Sequence, residues 1–272
     1  MEDLAKLRDS QYSWESCEEV RMKHDPSHIV RQRMRLIRAF IVLVVAYSAS
    51  ARAQIQSIST FAEYPSPLNK RLNIQSASAI GGGVEVSLKL YENTSIGLRA
   101  AYVSYSIDQP DQLNQWNWNF WNDRYYTKIQ SDMRADPNLT AQIGSVQSMD
   151  MIPVSVALNY SATVDDNLTI VPNLAGGVSF FTRKLYADET WTKQFPQAEY
   201  TLTYNLRNFA PEKKGTVIFL APGCNAGYQI SSDVSLAVGV QYKHYVSSIT
   251  GYGDFPLENE IIAKLGLTFF YR

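Results

Sequence analysis

The sequence predicts an all-β protein, a transmembrane antiparallel up-and-down β-barrel of eight strands preceded by a cleaved signal peptide. Three observations predict it. The stretch Val84–Ala101 (VEVSLKLYENTSIGLRAA) alternates apolar and polar residues on both sides of a short turn. The same turn form recurs twice, and long connections separate the copies. The chain also opens with a secretory leader but has no later apolar run long enough for a spanning helix.

The leader comes first. Arg31–Arg38 (RQRMRLIR) is basic, Ala39–Tyr47 (AFIVLVVAY) is unbroken apolar, and Ala51-Arg52-Ala53 is a small-x-small cleavage site before Gln54. The apolar run is about half of the roughly 20 residues a spanning helix needs. Residues 34–53 are therefore expected to be a signal peptide. Residues 1–33 are polar and mixed in charge, and are expected to be a mis-assigned or disordered extension, with translation starting at Met34 or Met22. Trp14, Cys17, His24 and His28 then lie outside the mature chain, residues 54–272.

That chain has 219 residues, with 16 basic and 19 acidic side chains. It has no basic footprint for nucleic acid, and none is expected as a partner. Cys224 is its one cysteine, which excludes an intramolecular disulfide. Gln54, not a cysteine, directly follows the cleavage site, which argues against a lipoprotein. A secreted chain without a spanning helix enters a membrane only if its strands close into a barrel.

Strands are predicted near 55–64, 75–91, 94–107, 148–163, 168–186, 215–230, 234–248 and 258–271. The clearest hairpin joins the second and third. With Tyr91-Glu92-Asn93 as a three-residue loop, Leu90 faces Thr94, Leu88 faces Ile96, Val86 faces Leu98 and Glu85 faces Arg99. Asp165-Asp166-Asn167 and Ser231-Ser232-Asp233 repeat the turn. Before the second turn, Ile152, Val154, Val156, Leu158 and Tyr160 form one apolar face. Gly81-Gly82-Gly83 marks a bend or a close approach. The connections at the other end are long: Asp108 to Val146, Ala187 to Lys214, and Ser248 to Pro256. Aromatic residues at strand ends (Tyr102, Tyr105, Phe180, Phe181, Tyr242, Tyr245) fit interfacial girdles.

The first long connection carries QWNWNFWNDRYY. Trp116, Trp118, Phe120, Trp121, Tyr125 and Tyr126 read either as an interfacial belt or as a surface for an extracellular protein or glycan.

The closing strand, AKLGLTFFYR, places Leu265, Leu267, Phe269 and Tyr271 on one face and Lys264, Gly266, Thr268 and Phe270 on the other. It resembles the C-terminal recognition signal of bacterial outer-membrane barrel proteins, departing in that Arg272 follows the last aromatic. GGGVEVSLKLYENTSIGLRAAY resembles the small outer membrane protein beta-barrel domain families, relatives in shape of OmpA, OmpX and OmpW. The resemblance covers most of Gly81–Arg272. It implies the outer membrane of a Gram-negative cell envelope, contact with its lipid, and assembly by the barrel machinery through this strand. It implies almost nothing about activity.

Inward parity gathers Glu85, Ser87, Lys89, Arg99, Asn159, Asn173, Asn225, Gln229, Gln241, Lys243 and Lys264. An eight-stranded barrel is just wide enough for side chains to fill it. These residues are expected to form a polar plug, with Glu85–Arg99 as its pair; a narrow conduit is the other reading. His244, the one histidine of the mature chain, has outward parity. The lipid A deacylases, which are barrel enzymes, place a His, a Ser and a Glu at the outer rim with His and Ser two residues apart. Here that position is Val246. Ser247 has the wrong parity, Ser248 lies about 13 Å along the strand, and Glu258 is the available acid. No enzyme activity is expected on this ground. One His and one Cys supply no closed zinc site, so no metal is expected, and no motif calls for a cofactor. Two functions fit: a structural or surface-binding protein acting through long loops, or a narrow porin-like transport barrel; an outer-membrane lipid-modifying enzyme is the minor alternative.

Overall fold

Alternating side chains need a partner strand on each edge, and in this chain the last strand supplies one to the first. A computed structural model describes residues 55–250 and 252–271, with the backbone alone at 247–250. The expected extension and signal peptide lie outside the described residues, as do the side chains of Ser247 and Ser248.

The strands are β1 (Ile55–Lys70), β2 (Ser76–Tyr91), β3 (Thr94–Asp108), β4 (Leu139–Tyr160), β5 (Ala162–Thr163), β6 (Leu168–Phe195), β7 (Tyr200–Phe209), β8 (Lys213–Ser231), β9 (Val234–Thr250) and β10 (Leu257–Phe270). Among the described residues, β1, β2, β3, β4, β6, β8, β9 and β10 pair in that order, and β10 pairs with β1 to close an eight-stranded ring. Every pairing is antiparallel. Closure leaves the ring no unpaired edge, the condition for strands to cross a bilayer.

The β2–β3 register is Glu85 opposite Arg99, Val86 opposite Leu98 and Leu88 opposite Ile96. Its end differs from the expected three-residue loop. Tyr91 pairs with Thr94 across a register shift, so Leu90 is the extra residue and the turn itself is Glu92-Asn93. At the other end Leu72 and Asn73 both have positive φ, which fits a tight reversal between β1 and β2.

The outer face is apolar. Ile80, Val84, Leu98, Ile152, Val154, Val156, Leu158, Leu220, Val238, Val240, Leu265 and Leu267 are all exposed. On β4 this belt runs from Ile152 to Tyr160, nine residues, matching the roughly 9–11 that span a bilayer core. Above it the outward positions turn polar: the Lys184 ammonium and the Tyr102 hydroxyl each donate to Asp150, both at 2.7 Å. No helix among the described residues is long and apolar enough to cross a membrane. The strands therefore form the membrane-facing surface.

The long end is more ordered than expected. β4 begins at Leu139, and β6 continues to Phe195 rather than ending near 186. The expected loop 187–214 is instead a β-hairpin: β6 turns through Pro196–Ala198 into β7, which pairs with β6 from Tyr186–Phe209 to Phe195–Tyr200. The first long connection folds into α1 (Gln112–Gln115), a π-helical turn (Phe120–Tyr125) and α2 (Tyr126–Ala135).

Candidate functional site

The lumen has three levels, set by which residue reaches the inward position at each depth. At the short-turn end lies an open chamber of about 470 Å³, lined by residues including Ser57, Ser87, Ser95, Asn159, Asn225 and Thr268. Its wall includes turn residues Glu92, Asn93 and Ser232, so it opens toward that end.

An ionic layer closes the chamber. Arg99 donates to Glu85 Oε2 from Nε at 2.9 Å and from Nη2 at 2.6 Å, and from Nη1 to Gln241 Oε1 at 3.1 Å. Asn159 Nδ2 donates to the other Glu85 oxygen at 3.1 Å, and Lys264 Nζ to Gln241 Oε1 at 2.6 Å. Gly97 makes this possible. A Cβ there would run into Glu85 Oε1 and crowd Asn159 Nδ2, so any side chain would displace the carboxylate from its path to Asn159. One step further in, Glu260 is fully buried. It accepts from Tyr105 at 2.8 Å and Tyr245 at 2.7 Å, with the Lys243 ammonium 3.1 Å away.

Beyond this layer the interior is largely apolar, with Gln109, Gln147 and Arg183 as its buried polar groups toward the outer end. Val103, Ile107, Met149, Met151, Phe181, Val217, Phe219, Phe255 and Leu257 form one buried cluster across the lumen. Inward Val103 and Ile107 of β3, Met149 and Met151 of β4, Phe181 of β6 and Val217 and Phe219 of β8 are hydrocarbon and pack as a core, with Gln147 and Arg183 buried beside them.

A second cluster lies outside the belt. Trp116, Trp118, Trp121 and Ile129 pack with Leu185, Ala187, Trp191 and Ala210. Trp118 and Trp121 stack with centroids 5.6 Å apart. Trp116 Nε1 donates to the Pro211 carbonyl at 3.0 Å, and the buried Arg183 guanidinium lies 5.0 Å from its ring. Buried Glu189 accepts from Trp191 Nε1 at 2.8 Å, Asn208 Nδ2 at 2.6 Å and the Tyr125 hydroxyl at 3.1 Å. Burial raises the Tyr125 pKa, and the Glu189 carboxylate adds to the rise against the Asn208 hydrogen bond.

The structure places the sequence-derived residues as follows. Glu85, Arg99, Asn159, Gln241 and Lys264 meet in the ionic layer. Lys243 lies deeper, beside Glu260. Asn173 is buried and donates to the Val171 carbonyl at 3.3 Å. Asn225 lines the chamber. Lys89 and Gln229 are exposed at the turn end and do not join the layer, because inward parity near a strand's end points at open water. Of the aromatic segment, Trp116, Trp118 and Trp121 are 3%, 6% and 2% exposed, which removes them from any contact surface. Phe120 and Tyr126 remain exposed, and Tyr125 is half-buried. Sequence reasoning missed Glu63 and Glu260. Glu260 shares inward parity with Lys264, which the sequence reading included, whereas Glu63 lies on β1, where that reading named no inward residue. His244 is half-exposed on the lipid side, opposite Asn259. Cys224 is exposed on the same outer face.

The chain has the fold of an outer-membrane-type eight-stranded β-barrel. No protein-family model matches it, and no curated protein matches its sequence. It is similar to Neisserial surface protein A over 80% of this chain and 99% of that one, at 11% identity and a TM-score of 0.42. A major outer membrane protein from Thermus thermophilus is similar over 79% and 99%, at 11% identity and a TM-score of 0.41. The attachment invasion locus protein Ail of Yersinia pestis, solved with the heparin analogue sucrose octasulfate, is similar over 79% and 97%, at 8% identity and a TM-score of 0.39.

Proposed function

We propose that this chain is an integral outer-membrane barrel with a sealed lumen, acting at the cell surface through the sheet that β4, β6 and β7 extend beyond the lipid belt. Lipid surrounds the apolar belt, and the closing strand β10 is the contact for the assembly machinery. The apolar plug and the tryptophan cap stand against the transport reading.

One observation carries the surface role: β7 is an open edge. Among the described residues it pairs with β6 alone. The bond from the Ala210 amide to the Leu185 carbonyl, 2.9 Å, fixes the phase of the ladder. Even-numbered residues of β7 bond to β6, so the amides and carbonyls of Thr201, Thr203, Asn205, Arg207 and Phe209 point away from it. Native proteins blunt such edges with charge, proline or a bulge. The segment 200–205 (YTLTYN) has none of these, and Tyr200, Leu202 and Tyr204 are exposed beside it. An edge of this kind takes up an extended polypeptide as a further strand, with main-chain bonds giving affinity and the alternating side chains selectivity.

The test uses the chain in liposomes and a labelled synthetic peptide with the sequence of Tyr200–Phe209. Saturable binding is expected, and Thr203→Pro abolishes it while keeping the β6–β7 ladder, because that amide faces away from β6. Binding that survives Thr203→Pro, or no binding to the folded protein, contradicts the edge reading.

A further inference from the structure

The chamber at the short-turn end plays no part in the surface role. We infer that it is a binding site for a neutral, polyhydroxylated ligand, a saccharide of one or two rings. Its volume of about 470 Å³ lies inside the range of roughly 300–1,000 Å³ typical of small-molecule sites.

The lining gives the ligand class. Ser57, Ser87 and Ser95 are each more than nine-tenths buried and line the chamber. Among the described residues, none of the three hydroxyls has a hydrogen-bond partner within the protein. Ser57 stands opposite Ser87 on β1 and β2, and Ser95 stands opposite Asn159 on β3 and β4. One wall of four adjacent strands therefore presents a row of small groups that both donate and accept. β8 stands across the ring from β2, and its Asn225 supplies an amide from the facing wall. Sugar hydroxyls have the same dual character, so each can pair with a serine in either sense.

Charge at the chamber floor disfavours an ionic ligand, and the rim carboxylate Glu92 is exposed to solvent. Arg99 is held by Glu85 and Gln241, and Lys264 bonds to the same Gln241 oxygen. The chamber floor thus offers no bare cation to an anion, and Glu85 offers no free carboxylate to a cation. The row of polar groups disfavours an apolar guest, which would strand them without water. Phe270 lines the chamber from β10 and offers its ring to the C–H face of a sugar.

The experiment titrates the full chain, refolded in lipid nanodiscs, with N,N′-diacetylchitobiose by calorimetry and by nitrogen-15 NMR. Heat-shifted gel mobility confirms folding of every sample. Saturable binding with a dissociation constant of about 1 mM or tighter, with shifts at Ser87, Ser95 and Asn159, supports the site. The double variant Ser87→Ala/Ser95→Ala should weaken binding about tenfold with the same mobility shift. No saturation at concentrations well above that range in folded protein overturns the inference, as does binding that the double variant leaves unchanged. Loss of β7 peptide binding in Thr203→Pro leaves this titration unaffected, so the two readings fail separately.

Discussion

Along β3 the inward side chains run Ser95, Gly97 and Arg99, then Ala101, Val103, Tyr105 and Ile107. Ser95 and Arg99 border an open polar chamber; the last four belong to or border a closed core. The same strand, parity and neighbours thus build two interiors of opposite character. The difference lies in how each half treats its charges. In the outer half Glu260 is fully buried, and two tyrosines and Lys243 satisfy it. In the inner half Glu85 retains 12% side-chain exposure and borders the chamber. A charge beside water keeps part of its hydration when its partner is lost, whereas a fully enclosed charge does not.

That contrast can be broken by removing one cation at a time. Lys243→Met strands Glu260 and should cost about 3–5 kcal/mol in the urea unfolding of the refolded barrel. Arg99→Met should also destabilise, but by less, because water reaches Glu85. Equal losses would mean the two halves are solvated alike. Removing a ring from the outer cap comes next. Trp121→Ala should cost about 3–5 kcal/mol of local packing, read as faster proteolysis between residues 109 and 138 while the barrel keeps its heat-shifted mobility. If the whole barrel unfolds with it, cap and lumen are one cooperative unit. The smallest effect is steric. Gly97→Ala pushes the Glu85 carboxylate away from Asn159 and should cost about 1–3 kcal/mol, with the Arg99 pairing retained.

The inner half was legible in the sequence for a physical reason. Glu85, Arg99, Asn159, Gln241 and Lys264 alternate with residues that face lipid, so inside and outside differ in polarity and the period of two is visible. In the outer half Val103, Met149, Met151 and Phe181 face inward on the same strands that carry the apolar belt. With hydrocarbon on both faces, parity gives no contrast, and a core looks like an extension of the belt. The β6–β7 hairpin was missed because ADETWTKQF mixes charge with aromatics, although Glu189 and Trp191 share the inward parity of Arg183 and Leu185. The tryptophan segment read as exposed because its packing partners, Leu185, Ala187, Trp191 and Ala210, lie some 65 to 95 positions further along the chain. The β2–β3 register was read correctly through Glu85–Arg99, since a one-residue slip would turn every charge toward lipid.

Everything above turns on a sealed lumen. Its most direct test is the flux of small ions and sugars through liposomes containing the refolded protein, with heat-shifted mobility as the folding control. No flux above empty liposomes is expected, for the unaltered chain and for Arg99→Met alike, because the apolar plug lies beyond the ionic layer. Flux through the folded, unaltered protein would contradict it and would make the transport reading the correct one.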